Sequence, residues 1–149
     1  MVPVRLYERK HYFLNEELYI CFLSPGSTVR SHWEEHKWDN PKVWVHLVEE
    51  LRERNVMETF HDEIEYLFAK WYMELTMKML IQKGYEISVD ELQELQNTVL
   101  HYFPKALSNS YLRQDNNVWN EFLLKILDLE VSSESVKVVN QLLHKMLRR

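Results

Sequence analysis

From Glu58 to Lys83 the chain runs without a glycine or a proline, and Gly84 follows at once. Within that run Phe60, Ile64, Leu67, Phe68, Trp71, Leu75, Met79 and Leu80 recur at helical spacing. The pattern predicts one long helix, ended by Gly84 as the left-handed residue. At ~1.5 Å per residue it would extend ~39 Å, enough to be the spine of a helical bundle. Tyr66, Tyr72, Met73 and Met77 widen the stripe, so the spine is expected to be covered on more than one side. A partner groove is the alternative, and plain core is preferred.

Four further helices are expected around it. Asn40-Pro41 reads as N-cap and first helical residue, followed by Trp44, Leu47, Val48 and Leu51 on one face. Ser88-Val89-Asp90-Glu91 has the form of a capping box, with Leu92, Leu95, Val99 and Leu100 turned inward. Pro104 should stop that helix, because the residue before a proline avoids helical geometry. Lys105 to Arg113 reads as a loop or a single turn. The next helix starts near Asp115-Asn116-Asn117 and carries Trp119, Phe122, Leu123, Ile126 and Leu127. Ser132-Ser133 opens the last, with Val136, Val139, Leu142, Leu143 and Met146 apolar. No internal repeat or low-complexity tract interrupts the series.

Upstream the pattern changes. His11 to Leu14 and Leu18 to Leu23 are rich in aromatic and branched residues, as strands are, and Asn15-Glu16-Glu17 could turn between them. Ser24-Pro25-Gly26-Ser27 forces a turn. The expected fold is therefore mainly α: a bundle of about five helices preceded by a short β-strand or hairpin segment. Residues 1–31 form the strand and turn segment, and residues 32–149 the helical domain. An isolated two-stranded ribbon is marginal in water, so these strands should belong to a larger sheet or pack tightly on helices.

Composition narrows the function. With 149 residues, 46% of them apolar, and 19 aromatic side chains counted as five Trp, eight Tyr and six Phe, the chain can bury a core. A net charge of −5 provides no footprint for nucleic acid. The one cysteine, Cys21, excludes an internal disulfide and fits a reducing compartment. No signal sequence and no apolar run near ~20 residues appears. A soluble, intracellular helical domain is the expectation.

Few residues carry chemistry. His32-Trp33-Glu34-Glu35-His36 matches H-x-x-E-H, in which His32 and His36 would bind zinc and Glu35 would act as base. The short space before Asn40-Pro41 favours a solvated polar turn instead. His46 and His61 are assigned to helix surfaces and His101 and His144 to helix ends, with no partner at ligand spacing. Cys21 lies in an apolar strand as an inert small hydrophobe. Asp90, Glu91 and Glu94 suit a helix start, and Lys137, Lys145, Arg148 and Arg149 a helix end. Contact of those cations with an anionic membrane is a secondary expectation.

Three groups of residues, in order, resemble one family. Tyr7-Glu8-Arg9-Lys10-His11-Tyr12-Phe13-Leu14-Asn15-Glu16-Glu17-Leu18-Tyr19, running on through Ser24-Pro25-Gly26-Ser27-Thr28, resembles the last strand and following turn of the catalytic domain in bacterial family-2 (GT-A) glycosyltransferases. Leu51-Arg52-Glu53-Arg54 through Tyr66-Leu67-Phe68 resembles their helical extension. Tyr102-Phe103-Pro104-Lys105 with Asn109-Ser110-Tyr111-Leu112 resembles their F-P-x-x-x-x-N-x-Y-L segment. The resemblance spans roughly residues 7 to 127. Phe22 stands where many members have an arginine, and Arg30 is the nearest substitute. Nothing matches the nucleotide-binding half with its D-x-D motif.

The resemblance implies the C-terminal region of an enzyme that transfers sugar from a nucleotide-sugar donor in surface-polysaccharide biosynthesis. The region itself would be non-catalytic and would hold no cofactor. Donor nucleotide sugar and a divalent metal, Mg or Mn, would belong to the N-terminal GT-A catalytic domain, its partner in the parent chain. Gly26, Ser27, Arg30 and His32 would lie near the substrate. The setting would be cytoplasmic, with room for peripheral contact at the inner face of the membrane and for a homodimer. The alternative is a free-standing helical protein-interaction module.

Overall fold

Local signals in the sequence account for most helix ends in the computed structural model, which describes residues 38–114 and 117–148. In order these are α1 (Asp39–Glu53), α2 (Met57–Phe68), a π-helical stretch (Ala69–Glu74), α3 (Leu75–Gln82), α4 (Val89–Tyr102), a 3-10 turn (Ala106–Ser108), α5 (Ser110–Gln114), α6 (Val118–Leu127) and α7 (Ser133–Leu147). The fold is mainly α, and no strand occurs among the described residues. The expected strand or hairpin segment and the expected boundary at residues 31 and 32 lie outside them.

The caps follow from chemistry. The Ser88 hydroxyl accepts from the Glu91 N–H while the Glu91 carboxylate accepts from the Ser88 N–H, the reciprocal box expected for α4. Ser132 and Ser135 make the same exchange at α7, and the Asn117 side chain caps α6 through the Trp119 N–H. Gly84, at φ +86, closes α3: its own N–H reaches the Ile81 carbonyl and the Tyr85 N–H reaches Leu80. Asn55, at φ 58, does the same for α1, since asparagine tolerates the left-handed region better than most residues. One boundary differs from expectation. The helix starts at Asp39 after Trp38, so Asn40 lies inside the first turn rather than capping it, and its amide nitrogen is buried without a partner.

The predicted spine exists, but it is not a uniform α-helix. α2, the π stretch and α3 follow one another without leaving helical geometry between Phe68 and Leu75. The buried residues are Glu65, then Phe68 and Ala69, Tyr72 and Met73, Thr76 and Met77, Leu80 and Ile81. They repeat every four residues, whereas an α-helix turns in ~3.6 and would drift by about 40° at each such step. The wider π turn absorbs much of that drift. The expected stripe is not the buried one: Phe60, at a kink in α2 with φ −125 and ψ 33, is exposed, as are Leu67 and Trp71, and Trp71 stacks on Trp44 of α1 at 5.8 Å. Tyr72, Met73 and Met77, expected to widen the stripe, are core.

α1, α4 and α6 all pack on the π stretch, and α7 packs on α3. Phe68 stacks on Tyr72 at 4.8 Å and meets Phe103 at 5.4 Å. Leu92, Leu95 and Val99 of α4, Leu123 and Ile126 of α6 and Leu143 of α7 complete the core. Full burial of one such side chain contributes ~1.5–3 kcal/mol, against ~1 kcal/mol for a cap, so packing dominates. Leu142, expected in the core, is instead 42% exposed.

Two buried amides tie helices together. Gln96 of α4 donates to the carbonyls of Ile126, Leu127 and Leu129, at and just past the end of α6, where helical N–H partners run out. Asn140 of α7 accepts from the Ile87 N–H at 3.0 Å and donates to its carbonyl at 2.9 Å.

Candidate functional site

α1 and α4 diverge over the π stretch and leave a cleft of about 680 Å3, within the range of small-molecule sites. α1 contributes Lys42, His46 and Glu49, α4 contributes Glu94, Asn97, Thr98 and His101, and Tyr72 reaches in from the π stretch. Trp38 and Tyr102 add aromatic faces. The Tyr102 hydroxyl donates to Glu49 at 2.8 Å, and Arg52 both donates to the Tyr102 carbonyl at 2.6 Å and lies 4.8 Å from its ring centroid. These bonds fix one wall of the cleft.

Its electrostatics are mild. Burial raises the Tyr72 phenol above its ordinary value, the Glu94 carboxylate adds to this, and a hydrogen bond with Thr98 works against it. Tyr102 is raised by burial first and by its bond to Glu49 second. Both phenols therefore stay protonated near neutral pH and serve as neutral donors. The lining carries one lysine, Lys42, and two carboxylates, Glu49 and Glu94. The lining holds hydroxyls, amides, imidazoles and aromatic faces, with no excess of positive charge.

A second constellation lies in the first turns of α2. His61 Nδ1 is 3.2 Å from Asp62 Oδ1 and 3.5 Å from Glu65 Oε2. His61 and Asp62 are exposed, while Glu65 is 2% exposed. Burial pushes the Glu65 carboxyl above its ordinary value, with His61 and Asn109 pulling partly the other way. Glu65 Oε1 has no hydrogen-bond partner. Asn109 braces the corner: its amide donates to the Asp62 carbonyl, and its oxygen accepts from the N–H groups of Tyr111 and Leu112 to start α5.

Sequence reasoning placed His46 and His101 on a helix surface and a helix end, far apart in the chain, and the fold brings both to the cleft. It assigned His61 no partner at ligand spacing. Glu65, four residues on, is that partner, and the i, i+4 spacing was the available signal. Glu91 is the helix-start acid expected, whereas Glu94 lines the cleft. Gly26, Ser27, Arg30, His32, Glu35, His36 and Cys21 lie outside the described residues. No helix among the described residues is long and apolar enough to cross a membrane. No protein-family model, curated protein or solved structure matches the chain.

Proposed function

We propose that the helical unit is a non-catalytic binding module that holds a carbohydrate acceptor in the α1–α4 cleft. The observation that carries this reading is the lining itself: neutral hydroxyl and amide groups beside aromatic faces, with one lysine against two carboxylates. A polyhydroxylated ligand offers donors and acceptors to such groups and an apolar ring face to the aromatics. A diphosphate would instead call for clustered cations or backbone N–H groups, so the nucleotide donor is assigned elsewhere.

The resemblance to family-2 glycosyltransferases supplies the setting. In it this unit is the C-terminal extension of a transferase acting in surface-polysaccharide assembly at the cytoplasmic face of the membrane. A GT-A catalytic domain would hold the nucleotide sugar and the Mg or Mn ion, with Gly26, Ser27, Arg30 and His32 near its mouth. The chain alone should then bind sugar but neither transfer nor hydrolyse a nucleotide sugar.

Saturation-transfer NMR with a panel of neutral oligosaccharides and nucleotide sugars tests the assignment. Oligosaccharide signals should be enhanced, and Glu94→Gln or Asn97→Ala should weaken binding about tenfold, equivalent to ~1.4 kcal/mol. Preference for the nucleotide diphosphate, or turnover of the donor by this chain, would overturn it.

A second reading, the free-standing interaction module, is favoured by one other feature. Phe122, Ile126 and Leu129 of the α6 region and Val138 and Leu142 of α7 line an apolar groove in which Val138 is 54% exposed. Grooves of this kind accept an amphipathic helix, including one from a second copy of the chain. Light scattering across a concentration series separates the cases: a dimer dispersed by Leu142→Glu supports the module, and a strict monomer removes the homodimer.

A further inference from the structure

We propose that His61, Asp62 and Glu65 form a binding site for a divalent transition metal of the zinc class, with a fourth coordination position open to the cavity beside α5. Among the described residues this is the group of three histidine or carboxylate side chains whose ligand atoms all lie within 4.8 Å of one another. An acidic cluster on a surface would say little. Here a second observation points the same way: Glu65 is almost fully buried and lines the cavity, and its Oε1 is buried without a hydrogen bond of ordinary length while Oε2 faces His61. A buried, unsatisfied carboxylate oxygen costs ~1–3 kcal/mol or more, and a cation entering the cavity removes that cost.

The spacing selects among metals. Ligands at roughly 2.0–2.1 Å from a tetrahedral zinc stand about 3.3–3.4 Å apart, from the tetrahedral angle and the usual bond lengths. His61 Nδ1 lies 3.2 Å from Asp62 Oδ1 and 3.5 Å from Glu65 Oε2, near that value. The widest separation in the group, within 4.8 Å, leaves the third pair to close by side-chain rotation on binding. Octahedral magnesium at ~2.1 Å would set neighbouring ligands about 3.0 Å apart and prefers an all-oxygen shell. An imidazole in the set also favours zinc over magnesium or calcium. The helix places His61 and Glu65 on one face, and Asn109 fixes the backbone of Asp62 from the other side at 2.9 Å. Three protein ligands leave one position free, and a cavity of about 500 Å3 bounded by Lys105, Ser108 and Ser110 lies next to it. Water or an anionic ligand beside Lys105 would fill that position. The site is separate from the α1–α4 cleft and does not depend on the carbohydrate assignment.

The full chain, stripped of metal, is titrated with Zn2+, Mg2+ and Mn2+ in competition with a chromophoric chelator. One zinc per chain is expected at this site, with magnesium at least about a hundredfold weaker. His61→Ala and Glu65→Gln should each weaken zinc at least about tenfold while the far-ultraviolet circular dichroism stays helical. The double variant His32→Ala/His36→Ala, which removes the other histidine pair spaced for a metal, should leave this zinc in place. Cobalt in the same site should show the intense visible bands of a tetrahedral centre. Absence of zinc uptake, uptake that survives His61→Ala, or loss in the His32/His36 variant would each overturn the assignment.

Discussion

Glu65 and Glu74 lie on the same helical spine, and both are almost completely withdrawn from water, at 2% and 5% exposure. Their surroundings differ. Glu74 has a lysine four residues away on either side: Lys70 at 3.2 Å, and Lys78, which donates a hydrogen bond to it. Lys70 continues to Asn120 of α6 at 3.0 Å, and Lys78 sits 3.7 Å from the centre of the Trp119 ring. The carboxylate is thus neutralised, and the network ties the spine to α6. One oxygen of each carboxylate accepts no hydrogen bond of ordinary length. That of Glu74 lies 3.2 Å from the Lys70 ammonium, whereas Glu65 has no lysine beside it among the described residues and faces the half-exposed His61, with Asn109 and Asp62 close by. A buried charge with matched partners is part of the framework, and one without them is available to a ligand.

The largest expected effect tests the framework half of that contrast. Glu74→Gln leaves Lys70 and Lys78, only 20% and 24% exposed, without their counter-charge. Urea unfolding should show a loss of ~3 kcal/mol, the lower end of what breaking a buried pair costs. A loss below about 1 kcal/mol would mean that the lysines find water instead.

Glu65→Gln should behave in the opposite way. In metal-free buffer it should keep its stability, since an amide replaces a partly unpaired buried acid. With zinc at a hundred times its dissociation constant, the unaltered chain should gain ~2.7 kcal/mol, and the variant, binding at least about tenfold more weakly, should gain ~1.4 kcal/mol or less. Equal zinc-dependent gains in both proteins would erase the distinction between the two glutamates.

Tyr72 lies between them on the same spine and gives the smallest effect. Its phenol is raised above 10.0, mainly by burial, so the folded chain keeps a proton that the unfolded chain releases earlier. The stabilisation is complete below pH 10.0 and is lost as pH rises from there through the folded value. Thermal unfolding at increasing alkaline pH should therefore fall less steeply in Tyr72→Phe. Identical slopes would show that the phenol is effectively solvated.

What was legible in the chain was local. Gly84, Ser88 with Glu91, Asn117 and Ser132 announce helix ends through their own side chains, and Pro104 stops α4 after Tyr102 as expected. The π stretch was hidden, because a 3.6-residue template selects Phe60, Leu67 and Trp71 rather than the positions that are buried. The displacement comes from α1, α4 and α6 converging on the same segment, which is a tertiary cause. The α1–α4 cleft was hidden for a similar reason: His46 and His101 come to line one cleft only through packing. His61 and Glu65 were within reach, since their spacing is helical. What could not be read was the burial of Glu65, which depends on the corner held by Asn109.

The π stretch also makes the spine tolerant of a change in residue number at one place. Removing one residue between Ala69 and Glu74 would let the widened turn close to an ordinary one with little rotation of α3 relative to α2, because a π turn is an α turn carrying one extra residue. Met77 and Leu80 would keep facing the core, and Lys78 the ring of Trp119. The same deletion in an ordinary helical turn would re-aim everything beyond it by about 100°. The stretch works as slack that keeps the end carrying His61 and Glu65 in phase with the end carrying Lys78.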